Sequence, residues 1–187
     1  MLKRRGFTII ELMVTIAVLS ILLMVGLPSY SIWMHNMRIR GAAEAVQNGL
    51  QIARATAIAR NTQVSLVFPA DGNLSYMIYS VISPTNMPAD FRAPGAEVDI
   101  YRRYNQQEGS SNASVTMTPA GSYMVTFGSL GQRLSNPDGS GIPTQIDVGS
   151  AVSGDPAIRP LRIQISAGGA TKTCDPAVTD AADPRKC

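Results

Sequence analysis

The sequence predicts an α+β protein. One long amino-terminal α-helix, apolar in its first half and amphipathic in its second, packs on a carboxy-terminal antiparallel β-sheet or sandwich head. Three observations carry this expectation. Residues Phe7 to Leu27, FTIIELMVTIAVLSILLMVGL, form a run of 21 residues in which the only charged group is Glu11. From Met37 to Arg60 the composition turns to Ala, Arg and Gln, with Val46, Leu50, Ala53 and Ala57 at helical spacing. Beyond Asn61 the apolar period drops from that of a helix to that of a strand, as in Val64, Leu66 and Phe68.

Each element follows from its residues. At about 1.5 Å per residue, the apolar run matches the ~30 Å hydrocarbon core of a bilayer, so it is long enough for a transmembrane helix. An acid at depth costs on the order of 2 to 3 kcal/mol, so Glu11 needs a partner or a task, unless the run is a signal anchor with a tolerated interfacial acid. Pro28 removes one helical hydrogen bond and predicts a kink, past which the helix continues. Along 28–60, Arg38, Arg40, Arg54 and Arg60 lie mostly off the apolar stripe, and Gly41 and Gly49 are the expected points of bending. Asp71-Gly72-Asn73 supplies a turn between a strand at Val64 to Phe68 and its return at Leu74 to Val81. Further strands are expected at Val98 to Tyr104, Ser114 to Met117, Tyr123 to Phe127, Thr144 to Val148 and Arg159 to Ser166. In the last, Leu161, Ile163 and Ile165 face one way, and Arg162 and Gln164 the other. Loops at Ser83 to Gly95 and Ser135 to Gly141, rich in Pro, Gly, Asn and Asp, are expected to be exposed and mobile.

The start of the chain inverts an ordinary secretory signal, in which the cleavage site follows the apolar part. Here Lys3, Arg4 and Arg5 are followed at once by Gly6, and a cut there leaves the apolar helix on the mature protein. Gly6, Phe7, Thr8, Glu11 and Leu12, in GFTIIEL, resemble the class III leader of type IV pilins and type II secretion pseudopilins. The resemblance implies that a membrane-embedded aspartic prepilin peptidase cuts between Gly6 and Phe7 and methylates the amine of Phe7. It implies a filament-assembly role for Thr8 and Glu11, whose carboxylate meets the terminal amine of a neighbouring subunit; such a pairing suits a water-poor filament core. Basic residues before the cut fit the positive-inside rule. The chain then divides into a leader at 1–6, a transmembrane and assembly helix at 7–27, an amphipathic half at 28–60 and a β-rich head at 61–187.

Within that superfamily the chain is similar to the GspH/FimT group of minor pilins and pseudopilins. The likeness rests on Ala45 to Phe68, Val125 to Leu134 and Leu161 to Pro176. It implies a minor subunit that joins a type IV pilus, at initiation or at the tip, with a secretion pseudopilin or a DNA-binding minor pilin for natural transformation as alternatives. The implied partners are other major and minor pilins, the prepilin peptidase, the inner-membrane assembly platform and, before assembly, inner-membrane lipid. The implied location is a single-pass inner-membrane protein with a periplasmic head, later a pilus filament.

Cys174 and Cys187 both lie in the tail, with 12 residues between them. Their placement outside the cytoplasm suggests a disulfide, with free thiols as the alternative, and pilins commonly close their carboxy-terminal region in this way. The only histidine, His35, lies far off in sequence, and no metal site or cofactor is expected. The full chain carries 16 Lys and Arg against 13 Asp and Glu; without Lys3, Arg4 and Arg5 the balance is 13 against 13. The basic excess therefore belongs to targeting rather than to a nucleic-acid partner. Some FimT-like members bind DNA through a glycine, arginine, any residue, arginine stretch before the tail cysteine. Here those positions are Gly169, Ala170, Thr171 and Lys172, and the first arginine is missing. Lys172, with Arg162, Arg185 and Lys186, is the candidate DNA contact, within a modest basic face that also takes in Arg159; with Asp175, Asp180 and Asp183 among them, solvated surface charge is the competing reading. Asp138-Gly139 reads as a turn rather than a calcium ligand. With no second histidine, no thiol beside a base and no phosphate-cradling loop, nothing in the sequence points to an enzyme.

Overall fold

The computed structural model describes residues 8–80, 99–152 and 155–187. Gly6, Phe7 and the Ser83 to Gly95 loop lie outside the described residues. Helix α1 spans Ile9–Arg60 and runs through two compact units, Met1–His35 and Asn36–Cys187.

Among the described residues of the first unit the apolar side chains up to Leu27 are exposed, Ile9, Ile16 and Leu22 among them. Two hydroxyls in this stretch find partners within the helix. The Thr15 hydroxyl donates to the Leu12 carbonyl and the Ser20 hydroxyl to that of Ile16, each at 2.8 Å, which is how hydroxyls are tolerated on an apolar helix. Among the described residues no single helix is long and apolar enough to cross a membrane; Ile9–Met24 and Ser29–Arg60 qualify only together, as a bent pair.

In the second unit α1 buries one stripe: Ile39, Ala42, Ala43, Val46, Leu50, Ala53 and Ala57. The expected residues lie on it, and the alanines permit close approach of the strands. Gly49 belongs to this face. An added Cβ there would lie 2.7 Å from the Tyr76 ring, and the Tyr76 hydroxyl donates to the Ala45 carbonyl at 3.0 Å. Gly49, expected as a point of bending, instead seats an aromatic ring, and helix continues through both it and Gly41.

Nine strands follow among the described residues: β1 (Val64–Val67), β2 (Tyr76–Ser80), β3 (Ile100–Tyr104), β4 (Ala113–Thr118), β5 (Met124–Phe127), β6 (Arg133–Leu134), β7 (Gln145–Ser150), β8 (Leu161–Ile165) and β9 (Thr171–Cys174). They form a five-stranded sheet ordered β3-β2-β1-β5-β6 and a four-stranded sheet ordered β4-β7-β8-β9, antiparallel throughout. Val64, Leu66, Ile78, Val125 and Phe127 of the first sheet and Val115, Ile146, Val148 and Ile163 of the second share one core with the helix stripe. On the other face of the first sheet Met77, Tyr79 and Met124 form a smaller cluster with Val67 and Ile100. Strand β2 is thus buried on both faces.

Two strands, β6 and β9, exceed the seven expected. The loop at Ser135 to Gly141 is exposed at Ser135, Asp138, Gly139 and Gly141, as expected, but not at Asn136. Asn136 is buried; its amide donates to the carbonyls of Met124 and Gly141 and accepts from Thr126, so the loop is pinned to β5 from within. The Asp71-Gly72-Asn73 turn forms as expected, with Asp71 Oδ1 accepting the Asn73 N–H at 2.9 Å and Gly72 at φ +75°.

Candidate assembly helix and tail surface

The amino-terminal end of α1 is set by Thr8. Its Oγ1 accepts the Glu11 N–H at 3.3 Å, which places Thr8 at the cap and Glu11 in the first turn. Thr8-Ile9-Ile10-Glu11 has the Thr-x-x-Glu form of a capping box, a signal the sequence reading passed over. A carboxylate in the first turn also favours the positive end of the helix dipole. The Glu11 side chain is exposed and has no partner among the described residues. Thr8 and Glu11 are therefore one local motif, with the carboxylate free for a second group.

Three segments meet at Arg54. From α1, its Nε donates to the Gly131 carbonyl at 3.0 Å and its Nη2 to the Gly168 carbonyl at 3.1 Å. Gly131 closes the β5–β6 turn, and Gly168 and Gly169 sit in the β8–β9 turn; the two turns belong to different sheets. They touch directly. Gly169 has φ +77°, and an added Cβ would lie 2.0 Å from the Gly131 carbonyl oxygen. Arg133 adds a second tie, its backbone N–H donating to the Ala167 carbonyl at 3.0 Å and its Nε to that of Ser166 at 2.8 Å. These are the segments Ala45 to Phe68, Val125 to Leu134 and Leu161 to Pro176, now seen as parts of one clamp.

The tail folds back on β9. Cys174 and Cys187 form a disulfide with Cα atoms 5.1 Å apart, Asp175 N–H donates to the Arg185 carbonyl at 2.7 Å, and the backbones of Asp175 and Lys186 pair as an isolated parallel β-bridge. Asp175, Asp180 and Asp183 each accept the backbone N–H two residues on, so they serve as turn acids. The four cations proposed for DNA are all engaged. Arg162 holds Asp147 through two nitrogens, at 2.6 and 3.0 Å. Arg185 reaches Asp183 at 2.6 Å and, by that hydrogen bond first, holds its carboxyl down at about 2. Lys172 and Lys186 donate to the carbonyls of Lys186 and Thr179. The structure brings Lys172, Arg185 and Lys186 together on the tail, whereas Arg162 is committed to β7. Among the described residues no group of histidine, cysteine or acidic side chains is placed to hold a metal.

Comparison with known proteins bears on this arrangement. Residues 42–169 match the family described as type II transport protein GspH, and residues 1–27 match the prokaryotic N-terminal methylation motif. No curated protein matches the chain. Among solved structures, the type IV minor pilin FimU of Pseudomonas aeruginosa strain PAO1 is similar in two crystal forms. Identity is 20%, with 72% of this chain and 86% or 90% of that chain covered, at TM-scores of 0.48 and 0.47. The minor pseudopilin EpsH from the Type 2 Secretion System of Vibrio cholerae is 8% identical, with 75% of this chain and 99% of that chain covered, at a TM-score of 0.50. The matched region takes in the buried half of α1 and β1 through β8, the elements that Arg54 and Arg133 hold together. On that match the chain belongs to the GspH family of type II transport proteins, with a prokaryotic N-terminal methylation motif at the start of its helix.

Proposed function

We propose that the protein is a minor pilin that enters a type IV pilus through α1, in pilus initiation or at the tip, and that it is a structural subunit rather than an enzyme. The observation that carries the reading is the exposed apolar half of α1, Ile9 to Leu27, joined to a GspH head. So much uncovered apolar surface needs lipid or other helices around it, and a methylation motif at its start ties it to the class whose helices bundle. In this reading cleavage falls between Gly6 and Phe7, Phe7 is methylated, and the inner membrane holds the helix with the head in the periplasm until assembly. Major and minor pilins are its neighbours; the prepilin peptidase processes it, and the inner-membrane assembly platform is its further partner. Glu11, free beyond its cap, receives the amine of the adjoining subunit. The family's description favours a second reading, a pseudopilin of a type II secretion system.

Cross-linking the full chain in its native cells and identifying the captured subunits by mass spectrometry tests both readings. Minor pilins of a pilus support the first and pseudopilins the second; capture of neither kind refutes both.

A further inference from the structure

Where the head unit begins, Asn36 and Arg40 of α1 meet Arg159, Leu161, Asp175 and Arg185 around an open cleft of about 220 Å³. The cleft is built rather than incidental. The Asn36 amide donates to the Ala157 carbonyl at 3.1 Å and accepts the Arg159 N–H at 2.9 Å, fixing that segment to the helix. The disulfide-closed tail brings Asp175 and Arg185 to the other side. Asp175 is nearly buried, and its Oδ2 stands 4.0 Å from Arg159 Nη1; Arg185 is held by Asp183. Three guanidiniums against two carboxylates leave one net positive charge. Arg40 is exposed and has no hydrogen bond or ion pair among the described residues, and the Arg159 side chain is 65% exposed. Such a cleft suits a single-charged oxyanion, for which the guanidinium fork is the matching donor set.

The chain just before the cleft points to the source of that anion. Tyr30 and Trp33 follow the apolar run, both are exposed, and their ring centroids are 5.9 Å apart. Exposed Tyr and Trp at the end of an apolar helix mark the level of lipid headgroups, and Asn36 is three residues beyond Trp33. Nucleic acid fits less well: it calls for a row of free cations along a backbone, and Arg162, Lys172, Arg185 and Lys186 are all engaged. We propose that this cleft binds the headgroup phosphate of an anionic membrane phospholipid, holding the head at the bilayer surface before assembly. The inference rests on the membrane-anchored reading of α1.

The full chain in detergent, offered an equal mixture of phosphatidylglycerol and phosphatidylcholine, is read by native mass spectrometry. Phosphatidylglycerol is expected to be retained in preference, and Arg40→Gln and Arg159→Gln each to lower that preference by about fivefold, as for one basic group near an anionic surface. Arg103→Gln, on β3, leaves it unchanged. Loss of the preference to millimolar inorganic phosphate in the wild type would make the cleft a site for free phosphate. Displacement of the lipid by a short DNA duplex from the wild type but not from Arg40→Gln would assign it to nucleic acid. Either result, or an equal preference in wild type and Arg40→Gln, overturns the proposal. Flotation of the same proteins with phosphatidylcholine vesicles separates the two claims: a wild type that does not float refutes the anchored reading, whereas one that floats without headgroup preference refutes only the cleft.

Discussion

Replacing Gly169 by alanine tests the clamp at its tightest point. Two costs add. The residue sits at φ +77°, which costs an L side chain about 1 kcal/mol. The new methyl would also lie 2.0 Å from the Gly131 carbonyl oxygen and 3.2 Å from Arg54 Nε, so the β5–β6 turn must move away. Moving it breaks the Arg54 hydrogen bonds to the Gly131 and Gly168 carbonyls, and charge-assisted bonds of this kind contribute about 1.5 kcal/mol each at the low end of their range. The sum is about 4 kcal/mol, a melting temperature lower by roughly 8 to 16 °C for a protein of this size. Two other glycines provide controls. Gly139 has φ +75° with nothing within 4 Å of an added Cβ, so alanine there carries the backbone cost alone. Gly168, the chain neighbour of Gly169, has open space and needs no left-handed backbone, so its alanine variant should stay within about 0.5 kcal/mol of the parent. Near-ultraviolet circular dichroism of the full chain in detergent, followed through thermal and urea unfolding, ranks the three. If Gly169→Ala costs no more than Gly139→Ala, the contact between the two turns is wrong, and with it the convergence of the three segments on Arg54.

Glu11→Ala should leave cleavage after Gly6 and the stability of the head unchanged while filament incorporation falls at least tenfold; immunoblots of sheared filaments against whole-cell fractions decide it, and normal incorporation would remove the docking role of this carboxylate. Reduction of the Cys174–Cys187 bridge, or Cys187→Ser, should cost about 3 kcal/mol in the chain-entropy view and raise hydrogen exchange across 175–187; unchanged exchange would mean that the tail is held by its hydrogen bonds alone. Tyr79 gives a pH signature. Burial, with Asp138 adding to it, pushes its phenol from 10.0 up to about 12. The folded phenol keeps its proton where the unfolded one has lost it, so stability that is whole below pH 10 declines as pH rises toward 12. Its hydroxyl is buried without a hydrogen-bond partner among the described residues, so Tyr79→Phe should be neutral or stabilising at pH 7 and should flatten that decline. Urea midpoints measured between pH 9 and 12 check both parts.

What the sequence disclosed was what repeats. The stripe Val46, Leu50, Ala53 and Ala57 and the alternation of Leu161, Ile163 and Ile165 report a periodic environment, and the structure places all but Leu161, which is half-buried, in the buried core. Strand β6 is two residues long, too short to show any period. Strand β9, Thr171–Cys174, has no apolar alternation; it is a strand because β8 offers it an edge after a tight glycine turn. Gly49 reads the same whether a helix bends or receives a ring, and only Tyr76 decides between them. Asn136 belongs by composition to an exposed loop, yet its amide completes a buried network beneath β5. Arg54 was equally hidden, because its two partners lie 77 and 114 residues away. The capping pair of Thr8 and Glu11 is legible in its Thr-x-x-Glu spacing, because a cap is a local device whose two members lie within one turn.

The convergence on Arg54 changes what the family likeness can be taken to mean. The three stretches on which the likeness rests, distant in sequence, meet in the fold: one arginine, two glycine turns and the strands they close form a single contact. Gly169 also heads the stretch before the tail cysteine, and its place is set by steric closeness to Gly131. The glycine in this chain is where the two turns touch, and whether the following residues meet an anion depends on their own charges. In this chain they are Ala170, Thr171 and Lys172, and the lysine is already bonded to the Lys186 carbonyl. Exposed positive charge lies instead with Arg40, which has no hydrogen bond or ion pair among the described residues, and with Arg159, 65% exposed beside Asp175. Arg54→Met combined with Gly169→Ala puts this to a test. Both changes break the same bonds, so the double variant should be about 3 kcal/mol more stable than the sum of the single costs implies, whereas Arg40→Gln combined with Gly169→Ala should be additive within about 0.5 kcal/mol. Additivity in the first pair would show that the arginine and the glycine turn do separate work, and the clamp would no longer explain why those segments travel together.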